Sequence, residues 1–430
     1  MVENSSSPNK LALLGGPPTT TLEFRPKNPF GPEEILAARN ALESGLLSGF
    51  LGTHSPEFHG GPKVREFESR WSEKFEIPHA VSVNSATSGL VAAVGAAGIG
   101  PGDEVIVPPY TMSATVVAPL AYGAIPIFAD IERETFSIDP QAVLGKITSR
   151  TKAIIAVNLF GHPAHLAELR VIADSHGLIL IEDNAQSILA KESNRYSGTV
   201  GHIGVFSLNV HKHINTGEGG MCVTSDPNLA WRLELIRNHG ENVVGNLDAS
   251  DLANTFGFNL RMTELTAAVG IEQLRKLDAD VQTRIAVAED WIDRLGGLQG
   301  LTSPTIRVGC EHSFLTWALR YDEQMTGVPR SLFSKALKAE GIPHSVGYVK
   351  PLYYLPMFQN LIAIGQHGFP FNLGSPDYSA GICPNAELMH ENELLLLDIY
   401  TYDSDSGFAN AVPEAIVKIH SQLGSLASRI

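Results

Sequence analysis

The chain has 430 residues, of which 43% are hydrophobic and 18% are charged, so it can bury a large core. Its 46 acidic side chains outnumber its 31 basic ones, and the formal charge of −15 disfavours nonspecific binding to nucleic acid, which depends on neutralising phosphates. Three unclustered cysteines indicate neither a disulfide framework nor a metal site built from cysteine pairs. The N-terminus lacks the apolar stretch of a secretion signal and no apolar run is long enough to span a bilayer, which together predict a cytoplasmic protein.

The first part of the chain does not show the pattern of a compact domain. Residues 1–30 are rich in Pro, Ser and Thr and are expected to form an extended arm. Residues 33–44 have the apolar spacing of a helix, and residues 45–63 are rich in Gly and Ser and predict a loop. We therefore expect an N-terminal arm, helix and loop over residues 1–63, followed by a helix over residues 64–75.

From about residue 80, apolar runs typical of strands alternate with amphipathic segments typical of helices. The predicted strands span residues 80–83, 104–107, 125–131, 153–160, 178–182, 203–208 and 221–224. The predicted helices span residues 86–97, 140–147, 166–175 and 260–277. Strands that alternate with helices are typical of a parallel sheet, and continuous Val, Ile and Leu runs indicate that both faces of the sheet are covered. Residues 64–295 are therefore predicted to form a large α/β domain.

The pattern changes again after residue 295. Residues 312–321 are strand-like, and residues 330–340 predict a helix that ends at a Gly-Ile-Pro stop signal. Residues 368–411 contain many Pro, Gly and Asp residues and are interpreted as irregular, and residues 413–426 predict a final helix. These segments are assigned to a smaller domain over residues 296–430.

In an open parallel sheet, ligands bind beyond the carboxyl ends of the strands, so the residues that follow each strand are the candidates for a site. The sequence Asn84-Ser-Ala-Thr-Ser-Gly89 leads from a strand directly into a helix, and hydroxyl groups at a helix N-terminus suit a phosphate. The alternative is ordinary capping of that helix by Ser85 or Thr87. Ser207, near the end of another strand, is a second candidate phosphate ligand, and its alternative is a hydroxyl bonded to backbone.

Acidic and amide side chains follow the predicted strand at 178–182. Asp183 could pair with the protonated ring nitrogen of a heteroaromatic cofactor, since a buried carboxylate is costly without a partner. Gln186, three residues on, could reach a phenolic oxygen on the same ring. The alternative is that Asp183 caps the following turn, and the residues alone do not decide between the two.

A loop with a single lysine joins the predicted strands at 203–208 and 221–224. Lys212 lies there between His211 and His213, and a glycine-rich segment follows it, which lets backbone approach a ligand closely. One interpretation is a surface lysine. The other is a partly desolvated lysine whose amine loses its proton and forms a Schiff base with an aldehyde.

Residues 108–115 follow the strand at 104–107 and would cover one face of a ring bound at the strand ends. Tyr110 and Met112 are the large side chains available there, and core packing is the alternative for each. A phosphate cradle, an acid for a ring nitrogen, an aldehyde-reactive amine and a ring-covering loop are together the parts that pyridoxal 5′-phosphate (PLP) requires.

Six blocks occur in order along the chain. They are Asn84-Ser-Ala-Thr87, Pro101-Gly-Asp-Glu-Val-Ile-Val-Pro108, Ile181-Glu-Asp-Asn-Ala-Gln186, Phe206-Ser207, Lys212 with Thr216-Gly-Glu-Gly-Gly220, and Asn259-Leu-Arg-Met-Thr-Glu264. With these blocks the chain resembles the DegT/DnrJ/EryC1/StrS family of sugar and cyclitol aminotransferases, from Leu11 through Pro384. The resemblance implies a fold-type I PLP enzyme, with a large, mostly parallel seven-stranded sheet between helices, a smaller α+β C-terminal domain, and a homodimer with shared active sites.

The resemblance also implies a role for individual positions. Lys212 would form the Schiff base with PLP, Asp183 would hold the pyridine nitrogen protonated, and Gln186 would contact the phenolic oxygen. The other implied cofactor contacts are Thr87, Ser88 and Ser207 on the phosphate, Asn259 on the phosphate of the neighbouring subunit, and Met112 on the ring face. The substrate contacts expected from position are Arg261, Tyr348, Lys350, Tyr353 and Tyr354, with the 45–63 loop and the 385–411 segment.

Two features depart from the family pattern. The ring-stacking position is aromatic in the family but is Met112 here, although a thioether can still pack on a ring face. The 385–411 segment also differs and is expected to shape the acceptor pocket.

The predicted activity is transfer of an amino group from L-glutamate to a keto group of a nucleotide-linked sugar or cyclitol, in amino-sugar, secondary-metabolite or polysaccharide biosynthesis. Relatives with His at the lysine position are sugar dehydratases, so Lys212 favours transamination. The two histidines beside Lys212 leave a dehydratase of the same fold, using PLP or its amine form, as the alternative. A non-catalytic PLP-binding regulator is a third hypothesis, which the complete set of site residues disfavours.

Overall fold

The predicted large sheet is present in a computed structural model of the chain, which describes residues 10–23, 28–245, 252–397, 399 and 407–428. The strands are β1 (His79–Val83), β2 (Glu104–Val107), β3 (Ile125–Phe128), β4 (Thr151–Val157), β5 (Ile179–Asp183), β6 (Lys191–Glu192), β7 (Arg195–Tyr196), β8 (Ile203–Ser207), β9 (Gly220–Thr224), β10 (Leu301–Thr302), β11 (Cys310–Glu311), β12 (Trp317–Tyr321), β13 (Ser345–Val346) and β14 (Leu394–Leu397). Within the described residues, seven of these strands form one sheet in the order β1-β9-β8-β5-β4-β2-β3. Neighbouring strands are parallel except where β9 pairs with β1 and β8, which confirms the mostly parallel sheet.

The reversed direction of β9 follows from the connection before it. Residues 208–219 join β8 to β9 without a helix. A parallel neighbour needs a crossover connection, usually a helix, whereas a loop that folds back on itself produces an antiparallel pair. The loop therefore stays at the carboxyl end of β8, and it carries Lys212.

Helices cover both faces of the large sheet. The helices among the described residues are α1 (Pro32–Glu43), α2 (Pro62–Lys74), α3 (Ala86–Ala96), α4 (Ala114–Ala121), α5 (Pro140–Leu144), α6 (Leu166–His176), α7 (Pro227–Arg237), α8 (Glu264–Leu295), α9 (Glu323–Thr326), α10 (Arg330–Ala339), α11 (Pro356–Gln359), α12 (Pro384–Leu388), α13 (Phe408–His420) and α14 (Leu423–Ala427). Along β2, Val105 packs in one core with Leu90 of α3, whereas Ile106 packs in the opposite core with Leu169 of α6. This alternation follows from the two-residue period of a strand. None of the helices described here is both long and apolar enough to cross a membrane.

The long helix α8 begins later and ends later than the predicted range 260–277. It begins after Thr263, whose side chain accepts a hydrogen bond from the N–H of Thr266 and so caps the first turn. It continues beyond residue 277 because Val281, Ala288 and Trp291 repeat at helical spacing and are all buried. The charged residues between them obscured this period in the sequence.

A second, four-stranded sheet in the order β10-β12-β14-β13 follows α8. Its core includes Trp317 of β12, Phe333 of α10 and Ile416 of α13. The strand β14 lies inside the 368–411 segment, so the interpretation of that whole segment as irregular was wrong. Four consecutive leucines form β14 and are buried, but they are too few to stand out among neighbours rich in Pro, Gly and Asp.

The helix α13 begins at Phe408 instead of the predicted residue 413. A proline inside a helix removes one backbone donor, and Pro413 is in this position. The carbonyl oxygen of Ala409, four residues earlier, instead accepts a hydrogen bond of 2.7 Å from Nε1 of Trp291. The donor that the proline lacks is thus supplied from α8, and the helix extends on both sides of Pro413.

Some residues after position 295 pack on the large sheet. Leu352, Phe358, Phe371 and Cys383 belong to the core that contains β2 and β4. The division of the chain at residues 63/64 and 295/296 remains a prediction.

Glu340, just after α10, connects the N-terminal residues to the small sheet. Its buried carboxylate accepts hydrogen bonds from the backbone N–H groups of Ala12 (2.8 Å) and Thr19 (2.9 Å), and it forms an ion pair with Lys418 (2.8 Å). Burial alone would raise the pKa of Glu340, but the bonds from Lys418, Ala12 and Thr19 outweigh it and lower the pKa. The charged form is therefore the stabilising one.

We predict that Glu340→Gln lowers the free energy of unfolding by about 2 kcal/mol at neutral pH, because several bonds lose a charged acceptor. A lowered folded-state pKa means that the carboxylate stabilises the fold above its unfolded-state pKa, and this stability is lost as pH falls through the folded-state pKa. Thermal melting of the variant should thus depend less on pH on the acid side. Glu43→Gln, at an exposed pair with Arg39, is the control and should change stability by less than ~0.5 kcal/mol. Equal losses in both variants would contradict the prediction.

Candidate active site

The ends of β1 and β8, the start of β9 and the first turn of α3 meet at one edge of the large sheet. Ser207 pairs with Gly220, which pairs on its other side with Val83. A side chain at Gly220 would lie 2.7 Å from the carbonyl carbon of Ser85 and 2.8 Å from the nitrogen of Ala86. Glycine is therefore required for the sheet to approach the helix this closely. As a result, Ser207 lies next to the first turn of α3.

The first turn of α3 combines capping with features of an anion site. Ser85 caps the helix, since its Oγ accepts a hydrogen bond of 3.1 Å from the N–H of Ser88 and lies 2.9 Å from Ser88 Oγ. The capping alternative is thus correct for Ser85. Thr87 is exposed in the same turn, and Ser207 accepts a long bond of 3.3 Å from the N–H of Asn209. A helix N-terminus with these hydroxyl groups beside it attracts an anion.

Asp183 is the last residue of β5 and is only 4% exposed. One carboxylate oxygen accepts a hydrogen bond of 3.0 Å from Oγ1 of Thr115, and the other accepts one of 3.2 Å from the N–H of Ala185. The bond from Ala185 shows that Asp183 caps the turn after β5, as the alternative interpretation of the sequence expected. The same carboxylate is still able to pair with a cation. Burial raises the pKa of Asp183, and the two hydrogen bonds and the charge of Lys212 oppose that rise.

Lys212 lies in the loop between β8 and β9. Its N–H donates to the carbonyl oxygen of Asn209 (2.9 Å), and the N–H of Leu208 donates to the carbonyl oxygen of Gly219 (3.0 Å), which closes the base of the loop. Burial lowers the pKa of the Lys212 amine, and the charge of Asp183 opposes the shift. A lowered pKa increases the fraction of neutral, nucleophilic amine. The amine and the carboxylate are thus close enough to influence each other's protonation.

Gln186 connects the ends of β4 and β5 to the C-terminal part of the chain. Its Oε1 accepts a hydrogen bond of 2.9 Å from the N–H of Phe160, and its Nε2 donates one of 2.9 Å to the hydroxyl oxygen of Tyr348. The N–H of Tyr348 in turn donates to the hydroxyl oxygen of Tyr110 (2.9 Å). The structure therefore brings together Tyr348, expected to contact the substrate, and Gln186, expected to contact the cofactor.

The two large side chains of the 108–115 loop differ in their surroundings. Tyr110 is buried, which raises the pKa of its hydroxyl to about 12 and agrees with the core-packing alternative. Met112 is 51% exposed. Of the two, Met112 is therefore the side chain that remains accessible, and its contact with a ring remains a prediction.

Asn259 and Arg261 lie shortly before α8, and their contacts lead to two different parts of the chain. The carbonyl oxygen of Asn259 lies 3.4 Å from Nδ2 of Asn84, the residue before the α3 cap in this same chain. Arg261 donates a bond of 2.9 Å to Oδ1 of Asn238, whose Nδ2 donates to two carbonyl groups in the 45–63 loop. Asn259 is thus next to the first turn of α3, and Arg261 is linked to the 45–63 loop.

The remaining predicted substrate residues differ in exposure. Lys350 is exposed and Tyr354 is half-buried. Tyr353 is fully buried, with its hydroxyl bonded to Glu387 and its ring 5.4 Å from that of Phe128. Lys350 is thus open to a substrate, whereas Tyr353 occupies a core position, and its role remains a prediction. Within the 385–411 segment, residues 398 and 400–406 lie outside the described residues.

Two site contacts were not predicted from the sequence. Thr115 donates to Asp183, but a threonine near the start of a helix carries no sign of a distant acceptor. Phe160 was assigned to a strand, whereas the strand ends at Val157 and Phe160 adopts a φ of 59°. Its N–H is thereby directed to Gln186, and no local pattern indicates such a turn.

Comparisons with known proteins agree with this geometry. A model of the DegT/DnrJ/EryC1/StrS aminotransferase family matches residues 53–371. The L-glutamine:2-deoxy-scyllo-inosose aminotransferase of Streptoalloteichus tenebrarius is 34% identical over 376 residues, which are 84% of this chain and 86% of that protein. The crystal structure of DesI in the presence of its TDP-sugar product has a TM-score of 0.79 at 28% identity and covers 98% of this chain and 99% of that chain. The structure of E. coli GDP-4-keto-6-deoxy-D-mannose-3-dehydratase with bound hydrated PLP has a TM-score of 0.76 at 25% identity. The match covers 92% of this chain and 100% of that chain.

The fold, together with a lysine after β8 and an acid at the end of β5, defines a fold-type I PLP-dependent aminotransferase. The chain belongs to the DegT/DnrJ/EryC1/StrS aminotransferase family, and PLP is its cofactor. The residues present fit that cofactor, because the sheet edge offers a helix N-terminus with hydroxyl groups, a buried carboxylate and a desolvated amine. The predicted family, fold class and cofactor are confirmed.

We predict that Thr115→Val weakens PLP binding and lowers kcat by about tenfold, because a buried carboxylate loses one of its donors at little change in volume. Since the hydroxyl stabilises the charged form, its loss raises the pKa of Asp183 further, and the acid limb of the activity profile should move to higher pH. Titration of the apoenzyme with PLP and a pH–rate profile measure both effects.

Thr151→Val is the matched control for this change. Thr151 is the first residue of β4, and its Oγ1 accepts a hydrogen bond of 2.9 Å from the N–H of Thr148. It therefore lies at the edge of the sheet opposite to the one that carries Asp183. The control should lower stability and leave PLP affinity unchanged. An unchanged PLP affinity in Thr115→Val would show that the hydroxyl does not support Asp183.

Proposed function

We propose that the protein transfers an amino group from L-glutamate to a keto group of a nucleotide-linked sugar or a cyclitol. The observation that carries the proposal is a desolvated amine, Lys212, beside a buried carboxylate, Asp183, at the edge of the sheet where ligands bind. The acceptor class is supported by one relative named as an inosose aminotransferase and by a neighbour crystallised with a TDP-sugar product. The name of that relative gives L-glutamine as the amino donor. The assay described below therefore tests L-glutamine beside L-glutamate. The cytoplasmic location remains a prediction.

The chain's own residues divide the task of holding the cofactor. Bound PLP supplies an electron sink and a reactive aldehyde. In this proposal the first turn of α3, with Thr87 and Ser88, holds the phosphate together with Ser207, where the positive end of the helix favours an anion. Asp183 would pair with the pyridine nitrogen and keep a proton on it, since a nearby negative charge favours the charged form. Gln186 would contact the phenolic oxygen, and Met112 would cover one face of the ring.

Lys212 both anchors the cofactor and moves protons. Within each half-reaction its Nζ would take a proton from one carbon and return it to another, which requires a pKa near the working pH. Burial lowers the pKa of Lys212 in that direction, while Asp183 limits the decrease. The amine is thus able to act as both base and acid.

The acceptor would bind on the side of the site formed by the C-terminal part of the chain. Tyr348 is bonded to Gln186, and Lys350 is exposed two residues later. Arg261 is linked through Asn238 to the 45–63 loop. We propose that these residues, with the 385–411 segment, select the acceptor.

The dehydratase alternative depends on a histidine acting in place of the lysine. His213 is buried, and its Nε2 donates a hydrogen bond of 2.9 Å to the carbonyl oxygen of Ser313. Burial also lowers the pKa of His213 well below its usual value. This histidine is therefore committed to a backbone contact, and Lys212 occupies the reactive position. Both observations favour transamination, although a structural neighbour with the same fold is a dehydratase.

We predict that Lys212→Ala abolishes turnover, by at least about 10³-fold, because the general acid–base group is lost. The assay incubates the PLP-loaded enzyme with L-glutamate or L-glutamine and a panel of keto-sugar and keto-cyclitol acceptors, and measures the 2-oxo acid and the aminated product. Lys212→Arg, which retains the charge, should be equally inactive and should also lack the long-wavelength absorbance of lysine-bound PLP. Lys152→Ala, at an exposed lysine on β4, is the control and should retain full activity.

The three hypotheses give different results in this assay. Dependence of product on an amino donor supports transamination, and product without a donor indicates dehydration. Absence of both a 2-oxo acid and any converted acceptor across the panel would indicate a non-catalytic PLP-binding protein. Full activity of Lys212→Ala would overturn the assignment of the lysine.

We also propose a homodimer with shared active sites. Contiguous exposed apolar side chains mark interaction surfaces. Such side chains occur on α1 and in the residues that follow it, namely Ile35, Leu36, Leu42, Leu46 and Leu47. Asn259 would then serve the phosphate of the neighbouring subunit, but in the single chain it contacts Asn84 beside its own α3. Whether Asn259 acts in its own site or in the neighbour's site can be decided by mixing variants.

We predict that Lys212→Ala and Asn259→Ala, each inactive or strongly impaired alone, regain activity when unfolded and refolded together. About half of randomly assembled dimers are mixed, and each mixed dimer restores one of its two sites, so the activity should approach about a quarter of the wild-type value. Sedimentation of the wild type should show a dimer. If Asn259 serves its own site, no mixed dimer contains an intact site and the mixture stays inactive, which would refute the shared-site arrangement.

A further inference from the structure

His213, the residue after Lys212, fastens the lysine loop to a distant segment of the chain. Its buried imidazole donates from Nε2 to the carbonyl oxygen of Ser313 at 2.9 Å. Burial, with a smaller contribution from the charge of Arg284, lowers the pKa of His213, so the ring is neutral and donates one hydrogen bond to the Ser313 carbonyl. Asn215 also ties the loop, since its Nδ2 donates to the carbonyl oxygen of Val210 and its N–H donates to Oε1 of Gln273, but neither bond reaches residues 312–316.

Ser313 belongs to residues 312–316, which cross the end of β4 at very short distance. The N–H of Ser313 donates to the carbonyl oxygen of Gly161 (2.8 Å), and the N–H of Leu315 donates to that of Phe160 (3.0 Å). Gly161 has a φ of 111°, and a side chain there would lie 2.5 Å from the nitrogen of Phe314. Two positive φ angles in non-glycine residues, at Phe160 (59°) and Phe314 (48°), accompany the crossing. The backbone is thus closely constrained at this point.

The same crossing also positions Gln186. The N–H of Phe160 donates to Oε1 of Gln186, while the carbonyl oxygen of Phe160 accepts the N–H of Leu315. Residues 312–316 are therefore bonded on one side to the loop of Lys212 and on the other to the turn that orients Gln186. They continue directly into β12 of the small sheet.

We propose that His213 is a positioning residue, which holds the Lys212 amine in place relative to Gln186 through its bond to the Ser313 carbonyl. The inference rests on the proposed role of Lys212 as the group that bonds to PLP. Without the imidazole donor, the loop remains closed at its base, but the segment that carries the amine loses its side-chain bond to the 312–316 crossing. Lys212 then samples orientations in which its amine does not meet the aldehyde of PLP.

The experiment measures capture of PLP by the apoenzyme through the rise of the long-wavelength absorbance of lysine-bound PLP. We expect His213→Leu to slow capture by at least about tenfold, because the buried hydrogen bond that holds the lysine loop to Ser313 is lost. His213→Gln, whose amide nitrogen reaches about as far as Nε2, should stay within ~3-fold of the wild type. His202→Leu is the matched control, since Nδ1 of His202 accepts a bond of 2.9 Å from the N–H of Leu180 near the start of β5, at the edge of the sheet away from Lys212. It should lower thermal stability and leave the capture rate unchanged.

A second pair of variants covers the case in which His213→Leu does not fold. His213→Asn carries the same amide as His213→Gln but is one methylene shorter and does not reach Ser313, so its capture should be at least about tenfold slower than that of His213→Gln. Equal capture by the Gln and Asn variants would overturn the proposal, as would capture by His213→Leu at the rate of His202→Leu. Either result would leave the role of Lys212 intact, whereas failure of the wild type to capture PLP would reject the proposed function itself.

Discussion

A buried carboxylate and a poorly solvated amine share one edge of the large sheet, and their balance determines what the site can do. Burial favours the neutral form of both groups, because it raises the pKa of Asp183 and lowers that of Lys212. Attraction between them favours the charged forms. If a cationic ring nitrogen takes the place next to Asp183, the carboxylate has a closer partner, and the amine loses the attraction that sustains its charge. Binding of the cofactor would then lower the pKa of the lysine and prepare it to act as a base.

The topology of the sheet is what brings these groups to the same edge. β5 and β8 are parallel neighbours in which Asp183 lies opposite Val205, so Asp183 and Ser207, two residues further along β8, are at the same edge of the sheet. A further parallel strand would have required a crossover that leads the chain to the opposite edge. Instead β9 runs back beside β8, so the loop with Lys212 stays at the carboxyl ends. The close approach of Gly220 to the start of α3 then adds a helix N-terminus to the same place.

The parts of the fold that were predictable are those with a local signal. Strands β2, β4, β5 and β8 are continuous apolar runs, and Asp183, Ser207 and Lys212 were identified because each comes at or just after a strand end. The contacts that support them have no local signal. The partners Thr115 and Asp183 are 68 residues apart, and His213 and Ser313 are 100 residues apart. Likewise, the position of Tyr353 in the chain predicted a substrate contact, whereas its full burial depends on Phe128 and Glu387, which lie far from it in the sequence.

Backbone strain and hydrogen bonding converge where residues 312–316 cross the end of β4. Positive φ angles at Phe160 and Phe314 are costly and persist only where the surroundings leave no alternative. Here the surroundings include the bond from Phe160 to Gln186, and Gln186 is in turn bonded to Tyr348 on the side of the proposed acceptor. An acceptor that moves Tyr348 would therefore act on Gln186, then on Phe160, and finally on the segment that holds the lysine loop. Each step is a direct hydrogen bond, so the side proposed for the acceptor and the lysine loop are connected through the 312–316 crossing.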